Sequence, residues 1–332
     1  MRSTLVGAAD QLLELPVAPS FTRIGPAVRS RLDRWVPLDS YDLAGRVVVL
    51  TGPTSGLGLA AARQLAGMGA SLVLLGRDRA RTEAVRESLP RGVEAAPHTV
   101  VVADMSDLAA VRHAGQQIAG QRPVIDVLVH NAGALSARRT VTAQGVETTV
   151  AAQVVGPFLL TSLLLDQLRN AAPGRVLTMS SGGMYASGLS VQALQMRESE
   201  YRGAEQYARA KRAQVTLNQM WAQRWGEGSV RFHAVHPGWA DTPGVRSSLP
   251  TFRRVTQPLL RSAEDGADTL VWLAADAGAP QETSGLFWLD RRPRAVHRLP
   301  TTRRTDTAQR RQELWEWVSA TAGVDSGSST VE

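Results

Sequence analysis

An apolar segment that runs directly into a glycine-rich turn constrains the fold of this chain more than any other feature. Residues 46–51, RVVVLT, have the composition of a buried strand, and glycines follow at positions 52, 56 and 58. The next segment, residues 59–68, is helical in composition. Glycine lets the backbone approach a pyrophosphate, and a helix N-terminus offers free N–H donors. The unit is typical of a dinucleotide-binding fold, with an ordinary tight strand-to-helix turn as the alternative.

Alternating strand and helix patterns continue through the central region. Strands are predicted at residues 46–50, 71–75, 99–103, 124–129, 175–179, 230–235 and 285–289, and the longest helical stretches at 144–169 and 204–225. Such alternation with short loops indicates an α/β fold, a Rossmann-type doubly wound parallel sheet of about seven strands with helices on both faces. A hydrophobic fraction of 43% is sufficient for a core covered on both faces.

Both ends of the chain extend beyond this predicted domain, which we place at residues 43–300. Residues 1–42 form an arm in which apolar residues recur every three or four positions, predicting an amphipathic, partly basic helix interrupted near Pro26. Residues 301–322 predict a C-terminal helix, and the polar residues 323–332 predict a disordered tail. The arm could dock on the domain, on a partner subunit or on an anionic membrane, and docking on protein is favoured.

Composition excludes several classes of function. The absence of cysteine excludes disulfides, thiolate metal sites and cysteine catalysis, and no metal is predicted. No apolar run approaches the ~20 residues that span a bilayer, and the first residues do not resemble a secretory signal, so a cytoplasmic location is expected. The net charge of +7 suits an anionic partner. Arginines cluster at residues 23–34 and 291–304, but no nucleic-acid-binding motif accompanies them. A solvated or intersubunit face is therefore expected rather than a nucleic-acid-binding surface.

The only lysine of the chain, Lys211, stands four residues after Tyr207. The other 36 of the 37 basic residues are arginines. An ammonium is compact and has a movable pKa, whereas a guanidinium does not deprotonate. Residues four apart share one face of a helix, so the two side chains are expected to lie close together. Tyr-x-x-x-Lys is a weak pattern by itself, and chance is the alternative.

Four motifs in a fixed order resemble the short-chain dehydrogenase/reductase family. They are Thr-Gly-x-x-x-Gly-x-Gly at residues 51–58, Asn-Ala-Gly at 131–133, the serines 180–181 after the fifth predicted strand, and Tyr-x-x-x-Lys at 207–211. The resemblance covers roughly residues 43–300. Residues 180–184, 236–246 and 266–269 are similar to the subfamily of dehydrogenase/reductase member twelve.

This resemblance implies an oxidoreductase that transfers hydride between nicotinamide and a carbonyl or secondary alcohol. Tyr207 is then the acid/base, and the positive charges of Lys211 and of the oxidised nicotinamide lower its pKa. Ser181 steadies the substrate oxygen, with Ser180 as the alternative. Gln153 takes the place of an asparagine that holds a relay water in many members. The relay could persist with shifted geometry, or fail and leave turnover slow.

The resemblance also implies the cofactor contacts. They are Thr51, Gly52, Ser55, Gly56, Leu57, Gly58, Asp104, Asn131, Ala132, Gly133, Tyr207, Lys211, Pro237, Gly238 and Thr242. An NAD site usually carries an acid after the second strand, but this chain has Gly76 there, followed by Arg77. Arg77 would bind a 2′-phosphate, so NADP(H) is favoured over NAD(H). An ordinary surface arginine is the alternative.

The expected substrate is a small-molecule carbonyl or alcohol. Residues 239–262 lie where the family places a mobile lid, and their apolar residues favour a lipophilic ketone or aldehyde. Arg246, Arg253 and Arg254 in this segment leave an acidic substrate open. An alternative function is a catalytically weak regulatory or scaffold protein that keeps the fold and binds the cofactor. Homo-oligomerisation through the two long helices and peripheral membrane contact through the arm are further expectations.

Overall fold

A single eight-stranded sheet organises the described part of the chain. The computed structural model describes residues 2–90, 97–225 and 228–325. The strands are β1 (Val47–Thr51), β2 (Ser71–Gly76), β3 (Thr99–Val102), β4 (Val127–His130), β5 (Gly174–Met179), β6 (Val230–Val235), β7 (Leu286–Leu289) and β8 (Arg292–Arg294). Their order is β3-β2-β1-β4-β5-β6-β7-β8. The predicted α/β class and doubly wound sheet are confirmed.

The first seven strands pair in parallel, as predicted, and β8 pairs antiparallel with β7. The sequence did not predict β8, because three residues with a central proline show no apolar alternation. The strand order reverses direction between β1 and β4. In sheets of this kind, ligands bind beyond the carboxyl ends of the strands at that reversal.

Helices lie on both faces of the sheet and at both ends of the chain. They are α1 (Arg2–Glu14), α2 (Val17–Phe21), α3 (Ile24–Asp33), α4 (Gly56–Gly67), α5 (Arg79–Ser88), α6 (Leu108–Gln121), α7 (Thr148–Val150), a π-helix (Ala151–Val155), α8 (Gly156–Leu163), α9 (Leu165–Arg169), α10 (Gly203–Trp225), α11 (Pro243–Ser248), α12 (Pro250–Thr256), α13 (Ala263–Ala275), α14 (Ala279–Glu282), α15 (Pro300–Thr305) and α16 (Ala308–Ala322). Single turns of 3₁₀-helix occupy several connections. None of the described helices is long and apolar enough to traverse a bilayer.

The alternation of side chains along β1 divides the core into two layers. Val48 and Leu50 pack in the layer that contains α4 and α13, whereas Val49 packs in the layer that contains α6, α8 and α10. All three side chains are fully buried. Because successive side chains of a strand point to opposite faces, an unbroken apolar strand of this kind requires helices on both sides.

The N-terminal arm is helical, but it is broken at two places. The chain leaves the helical conformation after Glu14 and again after Phe21, so that α1, α2 and α3 are separate. Pro26 lies in the first turn of α3, where a backbone N–H has no partner within the helix. The helix is thus interrupted near Pro26, at residues 22–23, but not at the proline itself, which is tolerated at its position.

Buried ion pairs join this arm to the end of the sheet. The fully buried Arg29 donates from Nε to Asp10 at 2.7 Å and from Nη1 to Asp290, after β7, at 2.5 Å. Arg292 and Arg294, on β8, pair with Asp33 and Asp10 of the arm. Arginines of both clusters therefore form ion pairs that hold the arm against the end of the sheet. The expectation of a solvated or intersubunit face is wrong for Arg29, Arg292 and Arg294, because each is paired with carboxylates within the protein.

The C-terminal helix α16 packs against α8 and α10. Trp315 is buried there, with its ring centroid 5.0 Å from that of Phe158 and 5.1 Å from that of Trp221. A helix was predicted over residues 301–322, and the structure divides that segment into α15 and α16. Of the predicted disordered tail, residues 326–332 lie outside the described residues.

Candidate active site

Glycines build a side-chain-free turn between β1 and α4. Gly52 has a φ of +68°, and a Cβ on it would lie 2.8 Å from the Cα of Ala132. A Cβ on Gly58 would lie 2.1 Å from the Gly52 carbonyl oxygen and 2.4 Å from Nδ2 of Asn131. Neither position can hold a larger residue without displacing backbone. The turn thus has the close backbone approach that a pyrophosphate requires.

Thr51 and Asn131 connect this turn to the end of β4. The Thr51 hydroxyl accepts hydrogen bonds from the backbone N–H groups of Asn131 and Ala132, both at 3.0 Å. Asn131 Nδ2 donates to the carbonyl oxygens of Thr51 and Gly52 at 3.1 and 3.0 Å. Two predicted motifs that are about 80 residues apart in sequence therefore form one structure at the sheet reversal, followed by Gly133.

The N-terminus of α4 faces the segment that follows β6. Ser55 is the N-cap residue of α4, and its side chain makes no capping hydrogen bond. A Cβ on Gly56 would lie 3.2 Å from Cβ of Thr242, so α11 begins beside the glycine turn. Leu57 packs inward, since a Cβ on Gly266 of α13 would lie 2.6 Å from its Cδ2. The first turn of α4 and residue 242 thus border one crevice.

Gly76 and Arg77 end β2 at the same edge of the sheet. A Cβ on Gly76 would lie 2.3 Å from the Thr82 hydroxyl, so this structure has no room there for an aspartate or glutamate. Arg77 is exposed, and the Asp78 side chain caps α5 by accepting from the backbone N–H of Arg81 at 3.0 Å. The arginine is the charged group that this position presents to a ligand, because the neighbouring carboxylate is used in the cap.

Asp104 lies at the corresponding edge after β3. Its Oδ1 accepts hydrogen bonds from the backbone N–H of Ser106 at 2.8 Å and from the Ser106 hydroxyl at 2.7 Å. These bonds fix the carboxylate in a half-buried position. The structure thus places both residues predicted for the adenosine end, Arg77 and Asp104, after adjacent strands.

Ser181, Tyr207 and Lys211 come together where β5 ends and α10 begins. The Ser181 side chain lies near enough to the Tyr207 phenol to lower its pKa. Lys211 Nζ lies 5.2 Å from the centroid of the Tyr207 ring and donates to the Met179 carbonyl oxygen at 2.9 Å. Ser180 is directed elsewhere, with its hydroxyl 3.5 Å from the Lys211 carbonyl oxygen. Of the two candidate serines, the geometry brings Ser181 to the tyrosine.

Burial controls the protonation of this cluster. Burial raises the pKa of Tyr207 to about 12, against a smaller lowering by the Ser181 side chain. Burial also lowers the pKa of Lys211 to about 7, because a low-dielectric environment disfavours the ammonium. The sequence predicted that Lys211 and a positive nicotinamide lower the tyrosine pKa. In the protein alone, desolvation of the phenolate is the largest effect on this pKa. The lowering by Lys211 together with a bound nicotinamide stays a prediction.

Gln153 lies on the π-helix between α7 and α8. Its Nε2 donates to the Ala134 carbonyl oxygen at 2.8 Å, and a Cβ on Gly133 would lie 2.9 Å from its Oε1. The side chain therefore supports the segment that follows β4. Lys211 donates to a backbone carbonyl instead. A proton relay through Gln153 stays a prediction. The π-helix was not predicted, although such turns often occur at functional sites.

Two predicted nicotinamide contacts, Pro237 and Gly238, form a tight turn after β6. Gly238 has a φ of +74°, and a Cβ on it would lie 2.2 Å from Nε of Arg261. The fully buried Arg261 donates to the Phe21 carbonyl oxygen at 3.0 Å and to Asp290 at 2.6 Å. The arm, the turn and the end of β7 therefore meet at one guanidinium.

Sequence reasoning missed this part of the site. Phe21 of the arm is buried, with its ring centroid 4.3 Å from that of His236. The backbone N–H of Trp239 donates to the Phe21 carbonyl oxygen at 2.7 Å. Gly182, which follows Ser181, donates from its backbone N–H to Nδ1 of His236 at 3.0 Å. The pairing of Arg29 with Asp10 and Glu14 is the feature that could have revealed how the arm folds. No local periodicity of the sequence indicates that these residues pair.

The predicted lid segment contains α11 and α12 and carries an aromatic contact. The rings of Trp239 and Phe252 meet edge to face, with centroids 5.1 Å apart. Arg246 and Arg253 both pair with Asp241, at 3.2 and 2.8 Å. Arg246 and Arg253, two of the three arginines cited for an acidic substrate, are thus engaged within the protein, which argues against such a substrate.

Comparison with known proteins places this geometry in a family. The sequence model described as short chain dehydrogenase matches residues 46–251. Human dehydrogenase/reductase SDR family member 12 is 36% identical over 283 residues, which cover 85% of this chain and 88% of the human protein. The chain belongs to the short-chain dehydrogenase family. Its oxidoreductase class and small-molecule substrate follow from that membership.

Two further similarities bear on the chemistry of this short-chain dehydrogenase. A Streptomyces sp. (strain C5) protein named as a daunorubicin C-13 ketoreductase, DnrU, is 36% identical over 281 residues, covering 85% of this chain and 94% of that protein. A Beutenbergia cavernae structure titled as an NAD(P)-dependent gluconate 5-dehydrogenase with bound NADP is 25% identical, with a TM-score of 0.61. It covers 75% of this chain and 96% of its own.

Proposed function

We propose that this protein is an NADP(H)-dependent oxidoreductase that interconverts a lipophilic ketone or aldehyde and its alcohol, with Tyr207 as the acid/base. The observation that carries this proposal is the grouping of Ser181, Tyr207 and Lys211 at the end of β5, the strand next to β4. A proton donor, a second hydroxyl and a cation lie together at the carboxyl end of β5. Reduction of a carbonyl requires a proton on oxygen as well as hydride on carbon.

The chain's own residues account for the proton and for positioning. Nicotinamide, when bound, supplies or accepts the hydride. With a pKa of about 12, Tyr207 is protonated at neutral pH and can donate to a carbonyl oxygen. The Ser181 hydroxyl holds the same oxygen by a second hydrogen bond. As the phenol loses its proton, a charged Lys211 nearby stabilises the phenolate, because opposite charges attract strongly in a buried site.

The preference for NADP(H) rests on the end of β2. The Thr82 hydroxyl fills the space that a carboxylate at position 76 would need, so the usual partner of an unmodified ribose cannot be accommodated. The exposed Arg77 offers a planar guanidinium for bidentate binding of a 2′-phosphate. The glycine turn and the N-terminus of α4 fit the pyrophosphate, because no side chain obstructs the backbone there.

Fluorescence titration with NADPH and NADH tests the cofactor assignment. We expect Arg77→Ala to weaken NADPH binding by roughly tenfold to a hundredfold, as for a charged hydrogen bond, and to leave NADH binding unchanged. Arg79→Ala is the matched control, since Arg79 is also exposed and lies two residues further on. Equal affinities for both nucleotides in wild type, or an effect of Arg79→Ala as large as that of Arg77→Ala, would refute the preference.

A lipophilic substrate is supported by the aromatic lid contact and by the ketoreductase name of the Streptomyces relative. A cytoplasmic location, to be tested by cell fractionation, is part of the proposal. The alternative of membrane contact through the arm remains a prediction, as does oligomerisation. The two helices expected to mediate oligomerisation, α8 and α10, both carry α16 on their surface.

A further inference from the structure

A small buried chamber lies behind the active site, between the sheet and helices α8 and α10. Its volume is about 30 Å³, and polar side chains of both helices, of β4 and of the π-helix line it together with apolar residues. The polar residues used below are His130, Gln153, Thr161, Gln214 and Asn218. The chamber begins one helical turn beyond Lys211, since Gln214 and Asn218 follow Tyr207 and Lys211 along the same face of α10.

Four of these side chains carry buried polar atoms that have no hydrogen-bond partner among the described residues. The atoms are Nδ1 of His130, Oε1 of Gln153, Oε1 of Gln214, and both Oδ1 and Nδ2 of Asn218. The other ring nitrogen of His130 is engaged, at 2.8 Å from the Thr161 hydroxyl. Leaving a buried polar group unpaired costs free energy, and the large majority of buried polar side-chain atoms in proteins have a partner.

Protonation of His130 does not provide hydrogen-bond partners for these atoms. Burial lowers the pKa of His130 to about 3, so the ring is neutral at physiological pH. Most of the unpaired atoms are acceptors, and they therefore need a donor from outside the protein. A water-sized site requires roughly 10–15 Å³, and a buried water makes about three hydrogen bonds. The chamber has room for two waters, whose four O–H groups can supply the acceptors while one oxygen accepts from Asn218.

We propose that the chamber binds two ordered waters, and that these waters hold Gln153 in the orientation that positions the cofactor-binding segment after β4. Gln153 links the chamber to that segment directly, because its Nε2 donates to the Ala134 carbonyl oxygen at 2.8 Å and its amide lies against Gly133. Gln153 and Asn218 are positioning residues in this account. The waters fix a side chain and do not transfer protons, which separates this role from the predicted relay.

The inference about the cofactor rests on the proposed function, whereas the hydration of the chamber does not. The experiment compares Asn218→Leu and Asn218→Ser with wild type by thermal denaturation and by NADPH titration. Leucine removes both polar atoms and fills space, whereas serine keeps a hydroxyl and leaves room for one more water. Gln223→Leu is the control, because Gln223 is exposed on the same helix.

For a hydrated chamber, we expect Asn218→Leu to lower the melting temperature and to weaken NADPH binding by roughly fivefold, the effect of one lost hydrogen bond. Asn218→Ser should stay close to wild type in both measurements. A dry chamber predicts the reverse order of stability: leucine raises the melting temperature by removing two unpaired atoms, and serine lowers it by enlarging the void. That reversed order would overturn the proposal.

Two other outcomes are equally decisive. Unchanged NADPH affinity in an Asn218→Leu variant with a lowered melting temperature would overturn the positioning role and leave only a structural one. If wild type binds neither nucleotide, the cofactor role falls with the proposed function, and the order of the melting temperatures still decides whether the chamber is hydrated. A high-resolution crystal structure should show two waters within hydrogen-bond distance of Gln153 and Asn218.

Discussion

Around β1 and β4, the site is formed by backbone and by residues that lack a side chain, whereas around β6 and β7 it is held by buried charges. Gly52 and Gly58 let two strand ends approach each other in the first region. In the second, Arg261 and Arg29 share the carboxylate of Asp290 and bind the arm to the turn after β6. The first region depends on a local motif, and the second depends on partners brought together only by folding.

The comparison predicts that loss of one side chain lowers the free energy of unfolding more around β6 and β7 than around β1 and β4. Asp290→Ala leaves two fully buried guanidinium groups without their shared carboxylate, and we expect the free energy of unfolding to fall by about 4 kcal/mol. Urea denaturation measures this loss. Asp241→Ala is the control, because it removes a carboxylate paired with two arginines at the surface, where ion pairs contribute about 1 kcal/mol or less. Equal losses in the two variants would contradict the comparison.

In the glycine-built region, adding one methyl group should damage binding more than stability. Gly58→Ala places a carbon 2.1 Å from the Gly52 carbonyl oxygen, which we expect to cost about 2 kcal/mol of stability. NADPH affinity should fall by roughly tenfold or more, because the displaced backbone is the predicted pyrophosphate site. Gly67→Ala, at the end of the same helix with nothing within 4 Å of its new Cβ, should retain wild-type affinity. Nucleotide titration of both variants distinguishes a local effect from a general weakening of α4.

Lys211 belongs to the active site and is expected to destabilise the fold. Its pKa is about 7 in the folded protein against an ordinary value of 10.5. The unfolded chain therefore binds more protons between those pH values, and stability rises with pH across that window. The penalty is fully present below about pH 7. Lys211→Met should be inactive, yet about 2 kcal/mol more stable at neutral pH.

Denaturation at a series of pH values checks this expectation. The difference in stability between Lys211→Met and wild type should shrink as the pH rises from about 7 towards 10.5. Lys211→Arg, which stays charged throughout, should show no such recovery. A pH-independent difference for the methionine variant would mean that the lysine ammonium is not desolvated.

The sequence predicted the first region well because its signals are local. The seven parallel strands and the turn at residues 52–58 follow from apolar runs and from glycine spacing. The second region could not be predicted in the same way. Arg29 and Asp290 are 261 positions apart, and Phe21 reaches His236 only because three short helices fold back onto the sheet. Nor does any periodicity reveal that Gln153 lies on a π-helix.

The role of Tyr207 is the central claim, and comparing Tyr207→Phe with wild type tests it most directly. The measurement is NADPH-dependent reduction of a lipophilic ketone, together with NADPH affinity. We predict that kcat falls by roughly 10²- to 10⁴-fold, the usual contribution of a positioned proton donor, while NADPH affinity is unchanged. Turnover by Tyr207→Phe at the wild-type rate, or NADPH binding with no turnover of any ketone by wild type, would contradict the account and favour a regulatory protein.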